Sequence, residues 1–282
     1  MKTVGEVLNL SIKYLQDRNV MRPRRQAEEL LSSLLKMQRI DLYMQFDRPL
    51  EENELSIFRE WVGRRGKGEP LDYILKVRHF FNCALEVCPS VLIPRQETEI
   101  LLDKVCERLQ HLDLTGKVAW DLCTGSGCIG IGLKKKLPQL EVTVSDISPE
   151  ALEIAKKNIE SNNVDVAIVK GNLLDPFKDR KADIIICNPP YVSEEEYAAL
   201  DHEVRDFEPK IALVGGPTGA ECYARLAEEL PRYLNPKGRA FFEIGASQGQ
   251  KVFSLFNATC WKRKIIEKDW SGQDRFFFVE IE

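Results

Sequence analysis

Apolar residues recur at helical spacing through the first 70 residues. Val4, Val7, Leu8, Ile12 and Leu15 share one face with Ser11, and Ala27, Leu30, Leu31, Leu34 and Leu35 repeat the pattern. Leu55, Phe58, Trp61 and Val62 close it. Positions three and four apart lie on the same side of a helix, so this stretch predicts four or five amphipathic helices and no strand. Pro23 suits the first turn of the second helix, where it has no N–H bond to lose. Asp41 and Pro49 punctuate the shorter pieces. Gly63 to Pro70 (GRRGKGEP) reads as a linker, with Arg64, Arg65 and Lys67 as solvated charges rather than a nucleic-acid patch.

From Tyr73 to Val87 the pattern turns strand-like, with a break at Asn82-Cys83 that predicts a hairpin. A helix comes next, with Ile100, Leu101, Val105 and Leu109 on one face. Strands and helices then alternate. Strands are expected at Val118–Trp120, Val142–Val144, Val166–Val169, Asp183–Cys187 and Ala240–Ile244. Helices are expected at Cys128–Leu137, Pro149–Glu160, Ala220–Leu230 and near 248–256. Ser148, just before Pro149, is a natural helix cap. Residues 188–217 read as a long loop, a feature that compact domains keep mainly for function. Lys264–Glu267 and Phe276–Ile281 flank Ser271-Gly272 and can pair antiparallel. The alternation predicts an α/β fold, a Rossmann-like and mostly parallel sheet with an antiparallel last strand, beside a small N-terminal helical domain. The expected divisions are a helical domain at 1–70, a linker with the hairpin at 71–92 and a catalytic domain at 93–282.

A chain of 282 residues suits about two domains at ~100–200 residues each. The net charge of −4 gives no sign of a duplex-binding protein, so no specific nucleic-acid partner is expected. The eight cysteines contain no Cys-x-x-Cys pair and no histidine placed to complete a zinc site, which predicts no metal and no disulfide framework. Scattered thiols suit a reducing compartment. With charges at Lys2 and Glu6 and no long apolar run, neither a signal peptide nor a membrane span is expected, and the chain reads as cytoplasmic. His79, His111 and His202 are not clustered and carry no expected catalysis.

Asp121-Leu122-Cys123-Thr124-Gly125-Ser126-Gly127 closes a strand and opens a helix. Its glycines permit close backbone approach, and the helix start offers unpaired N–H groups to a nucleotide-like ligand. Asp146 ends the next strand, about 20 residues on, where a carboxylate can accept ribose hydroxyls. NAD and S-adenosylmethionine both carry such a ribose, so the loop alone does not decide between them. The tetrapeptide Asn188-Pro189-Pro190-Tyr191 does. Two prolines leave the turn without N–H donors at those positions. The Asn188 side-chain oxygen and the Pro189 carbonyl can then converge as acceptors on one –NH2 group, and Tyr191 supplies a flat wall. An amide nitrogen is a poor nucleophile because its lone pair is delocalised. Holding both N–H bonds biases it toward tetrahedral geometry and aims the lone pair at a methyl donor. Glu97 and Thr98 are open between a role at the site and a role in capping the helix.

With these residues in view, the sequence resembles the release-factor glutamine methyltransferases, the HemK/PrmC family. Asn-Pro-Pro-Tyr is shared with amino-methyltransferases of DNA and RNA, but Leu92-Ile93-Pro94-Arg95-Gln96-Glu97-Thr98-Glu99, His202–Pro209, Ala212–Gly216, Phe242-Glu243-Ile244-Gly245, Gln248-Gly249 and Lys268–Arg275 also match the family pattern. The resemblance implies a class I S-adenosylmethionine-dependent methyltransferase and gives its residues their roles. Cys123, Thr124, Gly125, Ser126 and Gly127 would line S-adenosyl-L-methionine, Asp146 would hold its ribose and Leu173 would flank the adenine. Asn188 would touch cofactor and substrate, with Pro189, Pro190 and Tyr191 completing the glutamine site; the catalytic set is Asn188, Pro189 and Tyr191. The products are S-adenosyl-L-homocysteine and a glutamine of a Gly-Gly-Gln motif methylated at N5, on release factors gripped by the helical domain. The family enzyme is expected to act as a monomer, without a membrane. Cys123 stands where glycine is usual, Gln96 where proline is usual, Asn172 where an acid is common and Leu173 where an aromatic is more frequent. Two other readings are a nucleic-acid adenine or cytosine amino-methyltransferase and a non-enzymatic protein that binds release factors or ribosomes.

Overall fold

The computed structural model describes residues 2–282, which divide into two compact units. The first comprises the chain up to Lys76 together with Asp201–Phe207. Its N-terminal part holds five helices among the described residues: α1 Val4–Gln16, α2 Pro23–Leu35, α3 Arg39–Met44, α4 Glu52–Arg65 and α5 Leu71–Leu75. Helix α1 starts at a capping box: the Glu6 N–H donates to Thr3 Oγ1 at 3.3 Å, and the Thr3 N–H donates to Glu6 Oε2 at 3.0 Å. Pro23 occupies the first turn of α2. The apolar stripes of α1, α2 and α4 meet in one core containing Leu8, Leu15, Leu30, Leu31 and Phe58. Each such side chain, once buried, contributes ~1.5–3 kcal/mol.

Two expectations are corrected in this unit. Tyr73 does not begin a strand but lies buried in α5, so the helical unit runs past residue 70 to Lys76. Arg65 is not a solvated linker charge. It ends α4 at 3% exposure, donating to Gln26 Oε1, to the Glu69 carbonyl at 2.6 Å and to Glu203 Oε2 at 2.6 Å. An amphipathic-helix pattern cannot separate a buried arginine at a helix end from an exposed one, because the partner lies 138 residues away in sequence.

The second unit opens with a hairpin, β1 Val77–Phe80 and β2 Cys83–Glu86, turned by Phe81 and Asn82 at φ 46° and 59°. Such positive angles at both turn residues match the twist of the flanking strands. Then come α6 Gln96–Leu109, β3 Val118–Leu122, α7 Cys128–Lys136, β4 Glu141–Asp146, α8 Pro149–Ser161, β5 Val166–Lys170 and β6 Ala182–Cys187. The stretch expected as one long loop contains short pieces: β7 Val192–Ser193, α9 Glu194–Ala198, α10 His202–Phe207 (part of the first unit), α11 Lys210–Leu213 and β8 Val214–Gly216. The chain closes with α12 Glu221–Tyr233, β9 Leu234–Glu243, α13 Gly249–Leu255, β10 Trp261–Lys268 and β11 Asp274–Ile281.

Seven strands form one sheet in the order β10-β11-β9-β6-β3-β4-β5. From β9 to β5 the neighbours are parallel, and β11 runs antiparallel to both β9 and β10. Helices cover both faces, so the central strands are apolar on both. On β3 and β6, Ala119, Ile184 and Ile186 enter one core, while Trp120, Leu122, Ile185 and Cys187 enter the other. Trp120 stacks on Phe177 with ring centres 4.0 Å apart. The register aligns the strand ends: Leu122 lies opposite both Ser145 and Cys187, and Cys187 lies opposite Phe242. Cys123, Asp146, Asn188 and Glu243 are each the next residue, so they stand level across four adjacent strand ends.

Replacing Arg65 by alanine removes three hydrogen bonds from a buried position. It should destabilise the helical unit by about 2–4 kcal/mol, measured by urea unfolding, with Glu203→Gln costing clearly less. A loss below about 0.5 kcal/mol would mean that the guanidinium is solvated after all.

Candidate active site

The glycine loop is built from its own buried acid. Asp121, fully buried near the end of β3, accepts the Thr124 hydroxyl at 2.5 Å and the Gly130 N–H at 2.9 Å on Oδ2. This ties the loop to the first turn of α7. Gly130 has no room for a side chain, since a Cβ there would come within 2.3 Å of Val144 Cγ1. The loop then runs along the end of β4: the Thr124 N–H donates to the Ser145 carbonyl at 3.0 Å and the Gly125 N–H to Asp146 Oδ2 at 2.9 Å. Asp146 Oδ1 accepts the Ser148 N–H at 2.9 Å, and Ser148 itself caps α8 by accepting from the Ala151 N–H. Capping therefore falls to Ser148, and the Asp146 carboxylate stays at the mouth of the loop. Gly127 caps α7 at φ 85°.

Cys123 adopts φ 56°. That left-handed angle favours glycine, the residue that the sequence resemblance implies at this position. Leu173, also expected at the site, likewise has a positive φ, 52°, and is buried.

A cavity of about 220 Å³ opens over these strand ends. Cys123, Thr124, Gly125, Ser126, Asp146, Leu173, Asn188 and Pro190 line it, so most of the site residues expected from the sequence meet at one place. Gly127, Pro189 and Tyr191 are not in its lining. Gly127 acts through the helix start, Pro189 is buried in the turn, and Tyr191 is half-buried beside it. Around the loop, Asp121 Oδ1, Ser126 Oγ and Ser145 Oγ are buried with no hydrogen-bond partner among the described residues. Of these residues only Ser126 lines the cavity, where a polar ligand can complete its hydroxyl.

The Asn188 turn is held by groups that sequence reasoning did not assign. Gly215 lies so close that a Cβ would sit 2.2 Å from the Pro190 carbonyl oxygen, and a Cβ on Gly219 would sit 2.3 Å from the Tyr191 carbonyl oxygen. Gln248 Nε2 donates to the Tyr191 carbonyl at 2.8 Å, while its Oε1 accepts the Gly245 N–H at 3.1 Å. Thr98, left open between two roles, belongs to the site: its hydroxyl accepts from Asn188 Nδ2 at 3.2 Å and donates to Glu243 Oε2 at 2.6 Å. Behind it, Glu208 accepts the Ile93 N–H at 3.2 Å and pairs with Arg95. In the sequence Glu243 shows as a carboxylate inside an apolar strand, Phe241-Phe242-Glu243-Ile244, and as part of a segment that resembles the family, with no role attached to it.

Burial pushes the Asp121 and Glu243 carboxyls up to about 7, against the Thr124 and Gly130 bonds in the first case and the Thr98 bond in the second. Burial also raises Asp146, opposed by the Ser148 and Gly125 N–H groups. The Tyr191 hydroxyl is pushed well above its ordinary range by burial, with Glu243 adding to the rise.

The sheet order, the glycine loop and the Asn188 turn define a methyltransferase of the class I fold. The methyltransferase small domain family matches residues 96–205. A methyltransferase from Pyrococcus furiosus superposes with a TM-score of 0.53 at 21% identity, over 71% of this chain and 89% of that one. The Thermus thermophilus 16S rRNA N2 G1207 methyltransferase, solved in complex with AdoMet and guanosine, does so with a TM-score of 0.51 at 15% identity, over 73% and 50%. The particular kind is given by the whole chain: the PrmC N-terminal domain family matches residues 6–75. The release factor glutamine methyltransferase of Chlamydia trachomatis serovar L2 is 41% identical over 98% of this chain and 93% of its own length. The chain belongs to the release factor glutamine methyltransferase family.

Gly215→Ala should displace the Asn188 turn and lower methyl transfer about tenfold or more. Gly63→Ala, where a Cβ meets nothing within 4 Å, should leave the rate unchanged. Equal rates for both variants would contradict the close packing. The raised carboxyls carry a second expectation. The fold holds protons that an unfolded chain releases near pH ~4, so their stabilising contribution is complete below that value and is lost as the pH rises to about 7. Glu243→Gln removes one of the two titrations. Its urea midpoint should vary less than the parent's across that window, and an unchanged pH dependence would count against a buried, proton-holding Glu243.

Proposed function

We propose that this protein transfers a methyl group from S-adenosyl-L-methionine to the N5 amide nitrogen of the glutamine in the Gly-Gly-Gln motif of peptide chain release factors. The observation that carries the reading is the orientation of Asn188 at the cavity. Its Nδ2 is committed to Thr98, which leaves Oδ1 as the acceptor for a substrate –NH2 group. The full-length similarity to release factor glutamine methyltransferases supports a protein glutamine as the owner of that group.

In this reading the donor supplies an electrophilic sulfonium methyl, and the residues of the chain hold both partners in place. Cys123 to Ser126 line its amino-acid end, with Gly127 setting the start of α7 behind them, Asp146 accepts its ribose hydroxyls and Leu173 flanks its adenine. Asn188 Oδ1 and the Pro189 carbonyl take the two amide N–H bonds, and Pro190 and Tyr191 close the site around the planar amide. Orientation of this kind can contribute ~7–11 kcal/mol toward the barrier. The nitrogen gains the methyl and afterwards gives up one proton, so no strongly basic side chain has to act first. The helical unit is assigned to gripping the release factor, and the chain is read as a cytoplasmic monomer.

Incubation with labelled S-adenosyl-L-methionine and a release factor, followed by mass spectrometry of the Gly-Gly-Gln peptide, should show one methyl group on the glutamine and none on a Gln→Ala control. Equal labelling of the control, or methylation of added RNA or DNA in its place, would overturn the assignment. In the same preparation Asp146→Ala should weaken donor binding about tenfold or more, since a carboxylate accepting two hydroxyls contributes ~1.5–3 kcal/mol per charged bond. Asp146→Asn separates the loss of charge from the loss of the Gly125 and Ser148 contacts.

A further inference from the structure

We infer that Thr98 and Glu243 are positioning residues for the transfer: together they decide which end of the Asn188 carboxamide faces the substrate. The inference rests on the proposed glutamine methylation and adds the device that keeps its acceptor aimed.

An asparagine side chain carries one acceptor and one –NH2 group on a nearly symmetric frame, and turning it over exchanges the two. The substrate –NH2 offers only hydrogens along its N–H bonds. An Asn188 turned the wrong way would set donors against donors. Something in the protein has to hold the productive orientation before substrate arrives.

Thr98 does this because its own hydroxyl is not free to choose. A hydroxyl has a single hydrogen, and that of Thr98 is given to Glu243 Oε2 at 2.6 Å. Toward Asn188 it can present only lone pairs. Asn188 Nδ2 donates to it at 3.2 Å. If Asn188 were turned over, its Oδ1 would meet those lone pairs and its bond to Thr98 would be lost, while its own –NH2 group would face the substrate –NH2. Ionised Glu243 can only accept, and the protonated carboxyl keeps the same role with its hydrogen on Oε1 and Oε2 left to accept. Thr98 and Glu243 are 2% and 1% exposed, so no bulk water competes for these bonds, and an unmade bond there is costly.

The fold keeps the three groups in line. Glu243 is the residue after Phe242, which lies opposite Cys187, and so stands level with Asn188 on the neighbouring strand. The Glu243 backbone is pinned in turn, its carbonyl accepting the Tyr223 hydroxyl at 2.7 Å. Thr98 comes from the first turn of α6. Of its neighbours in Glu97-Thr98-Glu99, Glu99 is engaged elsewhere, accepting the Phe81 N–H at 2.8 Å.

Two substitutions at Thr98 separate orientation from packing. Thr98→Val keeps the shape and loses the hydroxyl, whereas Thr98→Ser keeps the hydroxyl and loses a methyl group. If the hydrogen-bond chain sets Asn188, Thr98→Val should lose about tenfold or more in kcat on a release factor, with donor Kd unchanged. Thr98→Ser should stay within about threefold of the parent. If Thr98 only fills space, the order reverses, and that result overturns the inference, as does a fully active Thr98→Val. Glu243→Met, which removes the acceptor but keeps the bulk, should lose as much as Thr98→Val, and the double variant no more than either, because the residues act as one chain. Additive losses would also overturn it. Nitrogen-15 labelling of the asparagines reads the same contact without substrate. The Asn188 side-chain –NH2 signal should shift in Thr98→Val and stay in Thr98→Ser; an unmoved signal in Thr98→Val overturns the inference on its own. A parent protein that binds donor yet leaves release factors unmethylated would count against the proposed function, while the labelling experiment would still decide the orientation.

Discussion

The parallel register of β4, β3, β6 and β9 is the constraint on which the site depends. Hydrogen bonding fixes neighbouring strands about 4.8 Å apart, and the observed pairings bring Asp146, Cys123, Asn188 and Glu243 to the same level. A slip of one residue in any of these pairs would turn every side chain of that strand to the other face. Because both faces are packed, with Trp120 and Ile185 on one side and Ala119 and Ile184 on the other, such a slip would also break two cores. Stability and site geometry therefore rest on one set of backbone bonds.

The level strand ends divide the work. On the Asp146 and Cys123 side, the Gly125 N–H bond to Asp146, the unpartnered Ser126 hydroxyl and a left-handed Cys123 shape the part of the cavity that the proposed function gives to the donor. On the Asn188 and Glu243 side, side-chain bonds set the direction of one amide. The Asn188 turn sits between them and is closed from behind by Gly215, Gly219 and Gln248, which leave the backbone no space to relax. Rigid positioning suits a reaction whose nucleophile is weak, because the chemistry gains from orientation more than from acid or base strength.

Much of this was legible in the sequence for a physical reason. Strands buried on both faces read as apolar runs, and the helices between them read as amphipathic stripes, so the order of elements could be written down before the fold was seen. Cys123, Asp146 and Asn188 were expected because each ends such a run. The rest depended on partners distant along the chain. Arg65 reads as a linker charge until Gln26, Glu69 and Glu203 enclose it. Glu243 reads as a strand residue until Thr98 meets it, 145 residues away. The short elements between residues 188 and 217 escaped because pieces of two to six residues repeat either pattern too few times to stand out.

The most direct test of this site is a crystal structure with S-adenosyl-L-homocysteine and a Gly-Gly-Gln peptide bound. The glutamine side-chain nitrogen is expected within hydrogen-bond distance of Asn188 Oδ1, with the Asn188 –NH2 group still on Thr98 and the ribose on Asp146. A glutamine bound away from Asn188, or an Asn188 amide turned over so that its –NH2 group faces the peptide, would contradict the assignment.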